Sequence, residues 1–454
     1  MSKKSCFGKD LKMIKLEKIK ALMYEGEKTV IREADIYIDA DRIVRIVYTD
    51  GKMPDTFAGQ TPDCDYVIDG RRKLVIPGLI NAHTHAYMTM FRNIADDVPF
   101  TTWLFDTIEP LEDAMTPEES YFGTLLGHIE MLRSGTTSYV DMYITPDVNA
   151  RAAHESGLRA CLTRGIVGSV RDDEGGLRRV RESLGDIEKW CDGDLLTGML
   201  APHAPYSCCD DFLKQVVEIA AEHDLGLNMH LAEGLNEVQG VRQKYNMTPI
   251  EYAESAGVFT RRTIAAHCVY LEDEDYEILR AHNVNVAINP ISNAKLANGF
   301  SNVPQMLKKG INICIGTDGA ASNNTLNMFR EMTFEAMIHK GLQKDAIGVP
   351  AADILRMATL GGARALGREQ ELGRIEEGCK ADLTILDLNN PNLMPNNNLV
   401  SALIYSANGS EVDTVIVNGK ILMEKKELKT IDEERVYFEM ERVGERYCRL
   451  VGRH

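Results

Sequence analysis

The sequence predicts an α/β protein: a (β/α)8 TIM barrel that carries a small β-sandwich domain formed by both termini. Two observations lead to this fold class. Short apolar runs alternate with helical signatures through the long middle of the chain, and strand signals of another kind sit at both ends. The expected boundaries are a composite sandwich over residues 1–74 and 372–430, a barrel over 75–371 and a closing helix over 431–454. At 454 residues there is chain enough for one large core and a satellite.

Near the N-terminus, Ala34-Asp35-Ile36-Tyr37-Ile38-Asp39 alternates apolar and polar residues, and Arg42-Ile43-Val44-Arg45-Ile46-Val47 follows after a short break. Period two places one face of a strand on a core. Near the C-terminus, Ala381-Asp382-Leu383-Thr384-Ile385-Leu386 and Thr414-Val415-Ile416-Val417 read as strands, and Asn418-Gly419 then turns into Ile421-Leu422-Met423. Asn-Gly suits a two-residue hairpin because both positions tolerate positive φ. Strands at both ends imply one small β domain with a larger one inserted.

The apolar runs of the middle are Leu74–Ile80, Thr136–Val140, Arg159–Leu162, Thr197–Ala201, Gly226–Met229, Thr263–Ala266, Asn283–Ile288 and Ile311–Ile315. Helix signals lie between them. Thr116-Pro117-Glu118-Glu119 is a capping box with proline at the first helical position, and Phe122, Leu125, Leu126, Ile129 and Leu132 mark one face after it. Thr248-Pro249-Ile250-Glu251 repeats the device. This alternation fits a (β/α)8 barrel; a doubly wound open sheet is the alternative, but no Gly-x-Gly-x-x-Gly follows any run. Val436, Met440, Val443 and Tyr447 recur at helical spacing, so the last segment reads as a packing helix.

A formal net charge of −17 repels phosphate backbones and anionic lipid surfaces, which argues against nucleic-acid and membrane partners. No stretch approaches the roughly 18–20 apolar residues that span a bilayer. The first 20 residues are basic but lack an apolar core, so no signal peptide is expected. The 10 cysteines contain no Cys-x-x-Cys pair, and they read as reduced thiols of a cytoplasmic protein, the adjacent Cys208-Cys209 included.

In a barrel, chemistry sits where strands end at their C-terminal face. The first run ends in His83-Thr84-His85, and residues i and i+2 of a strand point the same way, so both imidazoles enter one space. The fifth run ends at His230, the sixth at His267 and the eighth at Asp318. Imidazoles with a carboxylate suit a divalent metal, zinc first and iron second. A lone histidine after a strand reads as a loop residue; this set on the strand ends of one barrel reads as a site. His203 also follows a run, the fourth. His128, His154, His223, His282 and His339 have no partner at ligand spacing, and His454 is terminal, so these read as packed or solvated.

With these residues in place, the chain resembles the amidohydrolase superfamily. Longer strings are similar to its methylthioadenosine/S-adenosylhomocysteine deaminase branch: Trp103-Leu104 followed by Glu109-Pro110-Leu111-Glu112, Ala201-Pro202-His203-Ala204-Pro205-Tyr206, and His230-Leu231-Ala232-Glu233. To these add Ala265-Ala266-His267-Cys268-Val269, Asn289-Pro290-Ile291-Ser292-Asn293-Ala294-Lys295-Leu296 and Gly316-Thr317-Asp318-Gly319-Ala320-Ala321-Ser322-Asn323-Asn324. The resemblance covers nearly the whole chain. It implies hydrolytic deamination of adenosine derivatives, with one divalent metal per subunit held by His83, His85, His230 and Asp318. Binuclear members place a carboxylated lysine or a carboxylate at the end of strand four, where this chain has His203, so a single metal is expected.

The resemblance also assigns roles. Glu233 protonates the ring nitrogen, His267 holds the attacking water, and Asp318 both ligates and accepts the water's proton. Glu112 binds the ribose hydroxyls, His203 contacts the purine, and Arg164 reaches the amino-acid end of S-adenosylhomocysteine. A second family arginine directly follows Gly-Gly; here Gly175-Gly176 is followed by Leu177, Arg178 and Arg179, so the contact assigned to Arg178 departs from the pattern, and Arg179 stands as the alternative. Residues 86–115 are too many for an ordinary βα loop and read as part of a lid, in which Trp103 and Phe105 either cover an aromatic base or pack the loop. The expected partner is a small nucleoside, and the expected assembly a homo-oligomer. One rival is a deaminase or chlorohydrolase of another ring such as guanine or an s-triazine, which would leave Glu112 without a diol. A second rival, a catalytically dead metal-binding scaffold, conflicts with the presence of Glu233, His267 and Asp318.

Overall fold

The computed structural model describes residues 13–49, 63–208 and 210–452; most of the basic N-terminal stretch, Cys209 and His454 lie outside the described residues. Pro77-Gly78 divides the first apolar run into two strands that belong to different sheets. Lys73–Pro77 pairs with Leu383–Asp387 and with Met13–Glu25 among the terminal strands. Leu79–His85 instead opens the parallel strands that carry the site. A Cβ on Gly78 would overlap the Thr137 side chain, so this close crossing requires glycine. The expected division after residue 74 therefore cuts through the strand Lys73–Pro77.

The terminal strands run in the order Glu427–Leu428, Lys420–Glu424, Val412–Val417, Leu383–Asp387, Lys73–Pro77, Met13–Glu25, Lys28–Asp39, Arg42–Tyr48, with Tyr66–Asp69 beside Met13–Glu25. Both ends of the chain meet, as expected. Together they make one continuous mixed sheet of 9 strands. Ile14, Leu16, Ile36, Val75, Leu383 and Ile416 share its core. Met13–Glu25 escaped the sequence reading because its register shifts between Leu16 and Ile19, with Lys18 at φ +52, and a bulge of this kind breaks the alternation. Asn418 and Gly419 take φ +50 and +73, as the Asn-Gly hairpin requires.

The parallel strands form two sheets. One runs Ala201–Pro202, Arg159–Ile166, Thr136–Tyr143, Leu79–His85, Asp318–Gly319; the other runs Leu227–Leu231, Thr263–His267, Asn285–Ile288, Asn312–Ile315. They join on both sides. Leu200 bridges to Leu227, and Asp318–Gly319, just past Asn312–Ile315, pairs with Thr84 and His85. The result is a TIM-like barrel. Every residue of Leu79–His85, Thr136–Tyr143, Arg159–Ile166 and Thr263–His267 is buried, which is why these strands read as apolar runs without alternation. Helices follow the strands, and both expected capping boxes form, at Thr116 with Glu119 and at Thr248 with Glu251.

Residues 86–115 are largely ordered into short helices: a 3-10 turn at Ala86–Phe91, a π-helix at Thr102–Ile108 and an α-turn at Glu109–Asp113. Single π segments recur beside functional sites. The last helix, Glu433–Leu450, is capped by Asp432 and buries Val436, Val443 and Tyr447. It braces residues 86–115, since Arg446 donates to the Ala114 carbonyl at 2.8 Å and Tyr447 meets Phe91 edge-on at 5.0 Å. Among the described residues, no helix is long and apolar enough to cross a membrane, and Cys161, Cys191, Cys268, Cys314, Cys379 and Cys448 are free thiols.

A buried ion pair ties the barrel to the terminal sheet. Arg159 reaches Asp382 through two hydrogen bonds, 2.6 and 3.0 Å, with side chains 3% and 5% exposed. Asp382 also accepts the Asn418 backbone N–H at 2.7 Å. Removing Asp382 leaves the buried Arg159 with only the more distant Asp194 carboxylate, at 3.4 Å, as a charge partner, so Asp382→Ala is expected to lower stability by about 3 kcal/mol. Chemical denaturation checks this, and an unchanged midpoint would remove the pair from the account of how the two units are held.

Candidate active site

Alternation along Leu79–His85 brings His83 and His85 out on one side, with ring centroids 5.1 Å apart. The rings of His230 and His267 lie 4.8 and 5.7 Å from that of His83. His267 and Asp318 leave their strands at φ +74 and +60. That conformation costs a non-glycine residue about 1–3 kcal/mol, and its concentration at one spot suggests function.

Candidate ligand atoms of His83, His230, His267 and Asp318 all lie within 4.8 Å of one another. His85 approaches the same centre, its Nε2 3.3 Å from Asp318 Oδ1, against 3.6 Å for His83 Nε2. This group contains His267 where the expected ligand set contains His85. Three rings are oriented through Nδ1: His85 to the Met142 carbonyl at 2.6 Å, His230 to the His203 carbonyl at 2.9 Å, and His267 to Asn293 Oδ1 at 2.8 Å. An Nδ1–H that donates leaves the Nε2 lone pair available to a metal.

His83 is different. It is fully buried, and neither ring nitrogen has a hydrogen-bond partner. Leaving such groups unsatisfied is costly, and a metal ion would satisfy one of them. Asp318 Oδ2 accepts hydroxyl hydrogens from Ser292 at 2.6 Å and Ser322 at 2.8 Å, which leaves Oδ1 facing the imidazoles. Burial alone would raise the Asp318 pKa, yet the facing imidazoles of His83 and His85 hold it well below the usual carboxylate range. The residues present fit a divalent cation.

Glu233 stands beside this cluster, with Oε2 3.9 Å from His267 Nε2 and Oε1 accepting from Asn298 Nδ2 at 3.1 Å. Burial pushes its pKa up. A cavity of about 420 Å³ opens over the group; Trp103, Glu112, Arg164, His203 and Glu233 line it. Glu112 accepts the Tyr87 hydroxyl hydrogen, and burial raises its carboxyl to about 7. Burial, then the imidazoles of His85 and His83, push His203 down to about 4, so it is neutral near pH 7. Trp103 is buried and donates Nε1–H to the Ala321 carbonyl at 3.3 Å. Phe105 is 48% exposed and borders a second cavity of about 340 Å³ that shares Phe100, Tyr206 and Glu233 with the first.

The structure separates Arg178 from the other two candidate arginines. Arg164 lines the cavity but pairs with Glu182 at 2.9 Å. Arg178 does not line it: its side chain is 62% exposed and faces Glu182 at 3.7 Å. The next residue, Arg179, forms the wall instead. Sequence reasoning also gave no role to Tyr87, Asp141, Ser292, Asn293, Asn298 or Ser322. Several of these follow strand ends, the signal that found the histidines, but hydroxyls and amides there are too common to stand out. Asp141 Oδ1 accepts the Ala86 N–H at 2.9 Å, fixing the chain as it leaves His85.

The amidohydrolase family profile matches residues 74–422. A 5-methylthioadenosine/S-adenosylhomocysteine deaminase of Caldanaerobacter subterraneus subsp. tengcongensis is 46% identical over 438 residues, 96% of this chain and 98% of that relative. A crystal structure of an adenosine deaminase from Xanthomonas campestris with bound zinc is similar at a TM-score of 0.89 and 32% identity, covering 96% of this chain and 98% of the other. An atrazine chlorohydrolase from Arthrobacter aurescens TC1, complexed with zinc, shares the fold at a TM-score of 0.85 and 24% identity, over 95% of this chain and 100% of the other.

Proposed function

Because the chain belongs to the amidohydrolase family, we propose that it is a metal-dependent deaminase that hydrolyses adenosine derivatives to inosine derivatives and ammonia. Its substrates are S-adenosylhomocysteine, 5-methylthioadenosine, 5-deoxyadenosine and adenosine. The observation that carries this reading is one cavity lined at once by the imidazole cluster, by Glu233 and by Glu112. The reading takes the parallel strands as a (β/α)8 barrel inserted into a terminal β-sandwich.

His83, His85, His230 and Asp318 would hold one divalent metal, with zinc ahead of iron, since imidazole and carboxylate donors suit zinc. When bound, the metal supplies the Lewis acidity that makes water a nucleophile at neutral pH. Glu233, whose carboxyl pKa burial raises, gives its proton to the ring nitrogen and so makes the adjacent amino-bearing carbon electrophilic. Asp318 takes a proton from the attacking water, and the new C–O bond forms as that proton is lost. His267 holds the water and stabilises charge on the oxygen at the tetrahedral carbon. Asp318 then passes its proton to the departing amine; the C–N bond breaks, ammonia leaves, and as the C=O bond forms the remaining hydroxyl proton returns to Glu233.

Trp103 covers the base and neutral His203 hydrogen-bonds it. Glu112 accepts two hydrogen bonds from a vicinal diol, which suits a ribose. Arg164 and Arg179 face the 5′ substituent. Burial, then the charges of Arg164 and Arg178, lower the Arg179 pKa, so an anionic group on the ligand would relieve it. Arg164 is already neutralised by Glu182, which suits substrates with and without a carboxylate.

The test is an ultraviolet assay of adenine-to-hypoxanthine conversion over the four adenosine derivatives, with guanine alongside. Turnover of none of the four would remove the substrate reading and leave the family. Glu112→Ala should lower kcat/KM for 5-methylthioadenosine by about 10–100-fold, because hydrogen bonds to a charged group contribute about 1.5–3 kcal/mol. An unchanged kcat/KM would favour a ring without a ribose.

A further inference from the structure

The geometry around Glu233 points to Asn298 as a positioning residue that selects which oxygen of Glu233 carries the transferable proton; we infer this on top of the reading of Glu233 as the acid. The two oxygens of a glutamic acid are equivalent, and its terminal torsion is broad, so glutamate alone does not decide which one holds the proton. Asn298 breaks that equivalence. Its Nδ2–H donates to Oε1 at 3.1 Å, which commits Oε1 as the acceptor and leaves the proton to Oε2. Oε2 is the oxygen that faces His267, at 3.9 Å from its Nε2.

The main chain beneath Glu233 is fixed as well. The N–H groups of Ala232 and Glu233 each donate to the Glu237 carboxylate at 2.9 Å, across an Ala232 held at φ +52. With the backbone tied by Glu237 and one oxygen tied by Asn298, Glu233 has one way to present its acid. Asn298, Glu237 and Glu233 are all buried.

Asn298 is tied in turn to the residue that orients His267. Its backbone N–H donates to the Asn293 carbonyl at 2.9 Å, and the Asn293 side chain accepts from His267 Nδ1 at 2.8 Å. A single short segment after the seventh barrel strand therefore sets both groups that flank the reacting carbon, the proton donor and the imidazole that holds the water.

The experiment is a double-mutant cycle on the metal-loaded enzyme, with kcat and KM measured separately. Asn298→Ala should lower kcat by about 10–100-fold, the scale of a misplaced catalytic group, with KM nearly unchanged. In a Glu233→Gln background, where no proton can be given, Asn298→Ala should cost nothing further. Asn298→Asp, isosteric but without the N–H, is the second variant should the alanine fail to fold; it should lose kcat to at least the same extent. Equal losses in both backgrounds, a change in KM alone, or wild-type kcat in Asn298→Asp would overturn the assignment. Near-normal turnover by Glu233→Gln itself would instead remove the acid reading on which the inference rests, so the two failures are distinct.

Discussion

Glu233→Gln is expected to lower kcat by about 10²–10⁴-fold, the usual contribution of a general acid or base, while metal content and melting temperature stay at wild-type values. The substitution preserves shape and still offers an oxygen to the Asn298 N–H, so it removes the transferable proton and little else. A pH profile adds a second check. Burial raises the Glu233 pKa, and the acid form is the active one, so activity should be retained above the usual carboxylate range and fall as pH rises through the raised value. In Glu233→Gln that limb should vanish. Retention of normal turnover by this variant would end the assignment.

Metal removal should abolish turnover, by about 10³-fold or more, since water free of a cation has a pKa near ~16 and supplies negligible hydroxide at neutral pH. Readdition of zinc should restore it. Chelation should also lower the melting temperature, because a ligand that binds only the folded state stabilises it, and His83 is left buried with both ring nitrogens unpartnered. Asp318→Asn should reproduce the loss without a chelator, keeping volume but losing the charge. Elemental analysis decides the stoichiometry: one equivalent per chain is expected, and two would refute the single-metal site. Full activity in protein shown to be free of metal would refute the whole scheme.

Much of this site was legible because its chemistry depends on residue types that are rare at strand ends. His83 and His85 face one centre because strands alternate, and Asp318 reaches them because the eighth strand closes on the first. What stayed hidden has physical causes. Adjacent residues on a helix point ~100° apart, so only the orientation of Glu174–Trp190 decides that Arg179 and not Arg178 meets the cavity. The run Leu74–Ile80 carries no polarity change where it passes from one sheet to another, only Pro77-Gly78. Asn298, Ser292 and Ser322 act through single hydrogen bonds that no spacing announces. Whether the terminal strands pair as one sheet or two depends on long-range register, which alternation does not encode.

The pairing of Asp318–Gly319 with Thr84 and His85 bears on how the chain is made. A ribosome adds about 5–20 residues per second, so the first barrel strand emerges well before its partner from the eighth. During that interval one edge of Leu79–His85 is open, and open strand edges invite wrong partners. Its two histidines meanwhile lack the carboxylate that completes their set. With the ligand set proposed above, metal loading would be an event of the nearly finished chain, and a product truncated before Asp318 would lose barrel closure and that carboxylate together.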